Sequence, residues 1–135
     1  MDGCDLVAVA GPTTAIQAAQ HLGDQLGQAN ALIDLGEVQR LTGDFPGATQ
    51  ALEQARSFYH ELSDQLGQTN ALSYLGIVRL STGDHPGAAR ALEQARSFYH
   101  ELGDQLGQAY ALNTLGTVRR LTGDYLGLPR PWSKP

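Results

Sequence analysis

One cysteine, one tryptophan and one methionine occur among the 135 residues. With Cys4 alone no intrachain disulfide can form, and a reducing compartment is expected over an oxidising one. No apolar run reaches the length of about 18 residues that a membrane span needs. The opening MDGCDLVAVAGP has two acids, no basic start and only a short apolar run, so it does not read as a secretory signal. A cytoplasmic location is therefore expected. Basic residues are in deficit, nine against fourteen acidic ones, for a net charge of −5 and an isoelectric point of about 5.1. Neither nucleic acid nor a membrane surface is an expected partner for such a chain.

Chemistry-bearing sets are equally scarce. His60 and His100 stand at equivalent places 40 residues apart, too far to share a metal, and the HE pairs at 60–61 and 100–101 lack a second histidine four residues on. The TGDFPG turn lacks the lysine of a phosphate loop. Ser57 and Ser97 have no base beside them that differs from an ordinary surface residue. The chain is expected to be no enzyme and to use no metal or cofactor.

What the chain has is repetition. LEQARSFYHEL occurs unchanged at 52–62 and 92–102, and GDQLGQ or SDQLGQ begins at 23, 63 and 103. Residues 22–61, 62–101 and the shorter 102–127 are thus copies at a 40-residue period. A period of about 20–50 residues marks an array whose units bury their apolar faces against neighbours. Within each copy Leu32, Leu35 and Val38, and their counterparts from Leu72 and Leu112, recur three or four apart, a helical spacing. Thr-Gly-Asp at 42–44, 82–84 and 122–124 offers a glycine to end each such helix. Asp44 or Asp84 then caps a second helix whose first turn holds a proline.

Six helices are predicted, near 12–22, 25–42, 47–62, 65–82, 87–102 and 105–122. The fold class is all-α, antiparallel helical hairpins stacked as a short right-handed α-solenoid. Residues 1–11 are expected to form a flexible arm, 12–125 the repeat domain, and 126–135, with three prolines in its last seven residues, an extended tail.

The pattern resembles the tetratricopeptide repeat family. Leu35-Gly36, Leu75-Gly76 and Leu115-Gly116 match its Leu-Gly pair, and Gly43, Ala48 and Ala55, with Gly83, Ala88 and Ala95, match its turn glycine and small positions. Leu32, Gln39, Leu52 and His60 depart from its usual Trp, Tyr, aromatic and Pro. The period of 40 in place of the family's 34 is similar to that of kinesin light chains and bacterial regulatory repeats.

Copies 22–61 and 62–101 differ at 11 of 40 positions, and those in the first helix include 29, 33, 34, 37, 40 and 41. At about 100° per residue they share one side of that helix. The resemblance implies that this side lines a concave groove receiving a peptide or protein segment. Its candidate lining is Asn30, Ile33, Asp34, Glu37 and Arg40, then Asn70, Ser73, Tyr74, Ile77 and Leu80, then Tyr110, Asn113, Thr114, Thr117 and Arg120. The groove has no lysine, and Glu37 would repel a carboxylate, which disfavours the chaperone-tail binding known in the family. A mixed polar and aromatic peptide fits better, with Asn30, Asn70 and Asn113 hydrogen-bonding an extended backbone.

The third copy stops before its second helix. Leu112, Leu115, Val118 and Leu121 are therefore expected to form a bare stripe, closed by homodimerisation, by another chain, by the tail or by further sequence outside these 135 residues. Trp132 is either a loose tail residue or an anchor onto a neighbouring helix or subunit. Charge runs from −4 in residues 22–61 through −1 to +2 in 102–135, a gradient compatible with self-association. The functional expectation is a non-enzymatic protein–protein interaction module. Its alternative is a self-associating unit or a fragment of a larger repeat regulator.

Overall fold

The apolar spacing is realised as six α-helices in a computed structural model that describes residues 12–22 and 24–123. They are α1 (Pro12–Leu22), α2 (Gln25–Leu41), α3 (Phe45–Glu61), α4 (Gln65–Ser81), α5 (His85–Leu102) and α6 (Gln105–Thr122). Among the described residues every regular element is helical. Cys4, the 1–11 arm and the 126–135 tail with Trp132 lie outside the described residues.

Aspartate starts five of the helices. The side chains of Asp24, Asp44, Asp64, Asp84 and Asp104 each accept from the backbone N–H three residues on, at 2.8–3.0 Å. Two of these caps were expected. The other three follow from the DQLGQ string, which reads as an Asp N-cap once helix starts are placed at 25, 65 and 105. The second helices begin at Phe45 and His85, two residues ahead of the predicted start, because Asp44 and Asp84 cap directly and the proline fits within the first turn. Gly43 and Gly83 close the first helices at φ of 89° and 86°. The equivalent junction after α3 uses Ser63 at φ 56°, where α5 is followed by Gly103 at φ 73°.

Each helix packs on the next one in the chain, and α2 with α4 and α4 with α6 make only slight contact. Consequently the core is a row of layers. Ala29 and Leu32 of α2 face forward onto Ala51, Ala55 and Tyr59 of α3, and Leu72 of α4 meets Ala91, Ala95 and Tyr99 of α5. Leu75 and Val78 face backward onto Ala48 and Leu52, as Leu115 and Val118 do onto Ala88 and Leu92. A Cβ on Gly36 would sit 2.8 Å from Leu52 Cγ, so glycine is what lets α2 and α3 approach this closely.

The bare stripe expected on α6 is corrected here. Leu115 and Val118 are 0% and 2% exposed, because they face backward onto α5; only Leu112 and Leu121 remain open. Leu121 is exposed for a different reason, since its counterparts Leu41 and Ser81 are exposed too. Val38, expected in the core, is 45% exposed, whereas Val78 and Val118 are 2%. The 11-residue α1 is shorter than the 17-residue α3 and 18-residue α5 that cover those later valines.

Candidate functional site

The varied sides of α2, α4 and α6 come together around a cavity of about 500 Å3. Its walls include Asn30, Ile33 and Asp34 from α2, Asn70, Ser73 and Tyr74 from α4, and Tyr110 from α6. These seven belong to the predicted groove. Glu37, Arg40, Ile77, Leu80, Asn113, Thr114, Thr117 and Arg120 do not line this cavity. Leu80 packs beside the Ala88–Leu92 layer instead. Thr114 and Thr117 turn their hydroxyls back to the carbonyls of Tyr110 and Asn113.

Sequence reasoning missed Tyr59 and Tyr99, which reach the cavity from the second helices. Both rings are buried and lie against glycine: a Cβ on Gly67 would be 2.2 Å from Tyr59 Cδ1, and one on Gly107 would be 2.5 Å from Tyr99 Cδ1. The Tyr59 hydroxyl donates to Asn30 Oδ1, and the Tyr99 hydroxyl donates to Asn70 Oδ1 at 2.5 Å. The signal was available, since Asn and Tyr recur together 29 residues apart in both copies. These bonds change the role expected of the asparagines. Each side-chain carbonyl is occupied by a tyrosine, which leaves the amide nitrogen as the donor for a ligand.

The electrostatics of the cavity are one-sided. Asp34 and Asp104 line it and no Lys or Arg does. Arg40, at its margin, is held by Glu37 through two hydrogen bonds of 2.9 and 3.0 Å. Burial, with Asp64 and Asp34 adding to it, pushes the Tyr59 phenol up to about 12. Tyr74 is raised by burial and then by Glu37 and Asp34, with Arg40 opposing. Tyr110 is raised by burial, then by Tyr74 and Glu37, again against Arg40. Tyr99 is raised by burial, although the neighbouring Ser73 hydroxyl favours its ionised form. All four phenols are therefore neutral donors at physiological pH. Ser73 is 3% exposed, and its Oγ lies near the Tyr99 phenol but outside hydrogen-bonding geometry.

No protein-family model matches the chain, and no curated protein matches it. The chemistry of the groove must therefore be argued from its own residues.

A second cavity of about 360 Å3 is walled by Arg56, His60, Gln65, Gln68, Leu72 and Phe98 among others. Those six are identical between the two full copies, while the remaining lining residues Ser63 and Thr69 replace Gly23 and Ala29. The tyrosine cavity is instead walled by 33/73 and 34/74 pairs that differ in character. Its Asn30/Asn70 and Tyr59/Tyr99 pairs repeat unchanged. Among the described residues no group of three or more His, Cys, Asp or Glu is placed to hold a metal ion, and no helix is long and apolar enough to cross a membrane.

Proposed function

We propose that the chain is a protein–protein interaction module of the tetratricopeptide-repeat kind. Its groove takes an extended peptide or protein segment carrying a basic side chain, without catalysis. The observation that carries this reading is the composition of the 500 Å3 cavity: tyrosines and asparagine donors with Asp34 and Asp104 and no cation in the lining. Tyr74 and Tyr110, less buried than Tyr59 and Tyr99, are the anchors. A basic side chain beside them gains both the carboxylates and the ring faces, an attraction of about 0.5–2 kcal/mol per aromatic contact. The amide nitrogens of Asn30 and Asn70 serve the ligand backbone.

Selection from a displayed random-peptide library is the direct test. Retained peptides should be enriched in Arg or Lys, and capture should be lost in Tyr74→Ala and weakened in Asp34→Asn with helicity unchanged. Enrichment of acidic peptides, or capture indifferent to both substitutions, refutes the groove.

A second reading, self-association, is favoured by the open Leu112 on α6. It no longer rests on the Leu112/Leu115/Val118/Leu121 stripe, because the two central residues are buried. Sedimentation of the full chain as a monomer at high concentration removes it.

A further inference from the structure

Three first-helix positions are closed in both full repeats and open in the third. Ala29 and Thr69 are buried and Ala109 is exposed. Leu32 and Leu72 are 5% and 4% exposed, and Leu112 is 47%. Gly36 and Gly76 are buried, and Gly116 is exposed. These positions lie at i, i+3 and i+7, on one face of the helix. What covers that face is visible twice in the chain. On α2 it is α3 with Ala51, Leu52 and Ala55; on α4 it is α5 with Ala91, Leu92 and Ala95. The leucine of each covering helix seats against the glycine. A Cβ would meet Leu52 Cγ at 2.8 Å on Gly36 and Leu92 Cγ at 3.0 Å on Gly76, while among the described residues nothing lies within 4 Å of one on Gly116.

We infer that the Ala109–Leu112–Gly116 face of α6 is a docking site for a helix of another polypeptide with the pattern Ala-Leu-x-x-Ala, its leucine seated at Gly116. The occupant is specified by the chain itself, because the same face is covered by that pattern in both preceding repeats. Arg119 supports the assignment. Its counterpart Arg79 reaches forward to the Gly87 carbonyl at the start of the covering helix, at 3.5 Å. Arg119 instead turns back to Glu93 at 2.6 Å, a carboxylate that Arg96 also holds. A helix arriving on α6 presents its first-turn carbonyls where that guanidinium can swing to meet them. This site is separate from the tyrosine groove and does not depend on its reading.

The probe is a labelled synthetic peptide with the sequence of residues 85–102, titrated into the full chain and followed by fluorescence anisotropy. Saturable binding is expected, falling at least tenfold when the peptide leucine matching Leu92 becomes glutamine. Gly116→Leu in the protein should fill the seat and abolish binding, with an unfolding midpoint equal to or above that of the wild type. Tyr74→Ala, a groove variant, should leave peptide binding unchanged. Absence of saturable binding to the wild type overturns the inference, as does binding that survives Gly116→Leu. Binding that appears only after residues 126–135 are deleted also overturns it, because the occupant is then the chain's own C-terminal segment.

Discussion

Alanine at three glycines of the first helices tests the packing scheme by sign as well as size. At Gly116 a Cβ meets nothing among the described residues within 4 Å. Gly116→Ala should therefore show only the gain in helix propensity, about 0.5–1 kcal/mol. At Gly36 the same gain is opposed by Leu52 Cγ at 2.8 Å, and Leu52 is fully buried with little room to retreat. Overpacking of this kind costs about 1–3 kcal/mol, so the net change is a loss of about 0–2 kcal/mol. Gly67 is the most severe of the three. Its Cβ would lie 2.2, 2.5 and 2.6 Å from Cδ1, Cγ and Cε1 of the buried Tyr59 ring. Moving that ring also breaks its bond to Asn30, adding about 1 kcal/mol, for a net loss of about 1–3 kcal/mol. Urea unfolding followed by circular dichroism should thus rank Gly116→Ala above wild type, then Gly36→Ala, then Gly67→Ala. Near 100 residues each kcal/mol corresponds to about 4 °C or more in Tm. Equal shifts for Gly116→Ala and Gly67→Ala would show that the α3–α4 contact and the open α6 face are wrongly described.

Two further outcomes are open to measurement. Ser63 holds a left-handed φ of 56° where Gly103 stands in the next repeat, so Ser63→Gly should raise stability by about 0.5–1 kcal/mol in a urea titration; a loss would mean the serine side chain makes up for its strain. Folding raises the phenol pKa of Tyr59 from 10 to about 12 and raises Tyr74, Tyr99 and Tyr110 in the same direction, so the unfolded chain loses protons first. Stability should be fully present below pH 10 and fall between pH 10 and 12, less steeply in Tyr59→Phe, as read from unfolding midpoints across that window.

The helices were legible because their signals are local. Three- and four-residue spacing, Thr-Gly-Asp stops and prolines after Asp44 and Asp84 fix elements to within two residues of where they lie. The faces were less legible, since a first helix in a stack has two apolar sides that one periodicity cannot separate. Leu112 and Leu115 look alike in sequence, yet among the described residues one is left exposed and the other faces backward onto Leu92. The groove was half visible. Variation between copies marked Asp34 and Tyr74, but Tyr59 and Tyr99 are identical in both copies and sit in the helix where little varies. Comparing repeats finds what distinguishes them, and a shared hydrogen bond such as Tyr–Asn is silent to that comparison.

The three helices that wall the groove scarcely touch one another; α3 and α5 hold them apart like spacers between ribs. Groove width is consequently set by the tilt of each spacer, and small rotations at successive layers add along the row. Bending of such a stack is expected to spread over its layers, as in a spring. On the proposed peptide-binding reading, a ligand longer or shorter than the resting span would be accommodated by curvature, with the Leu52–Gly36 and Leu92–Gly76 seats kept.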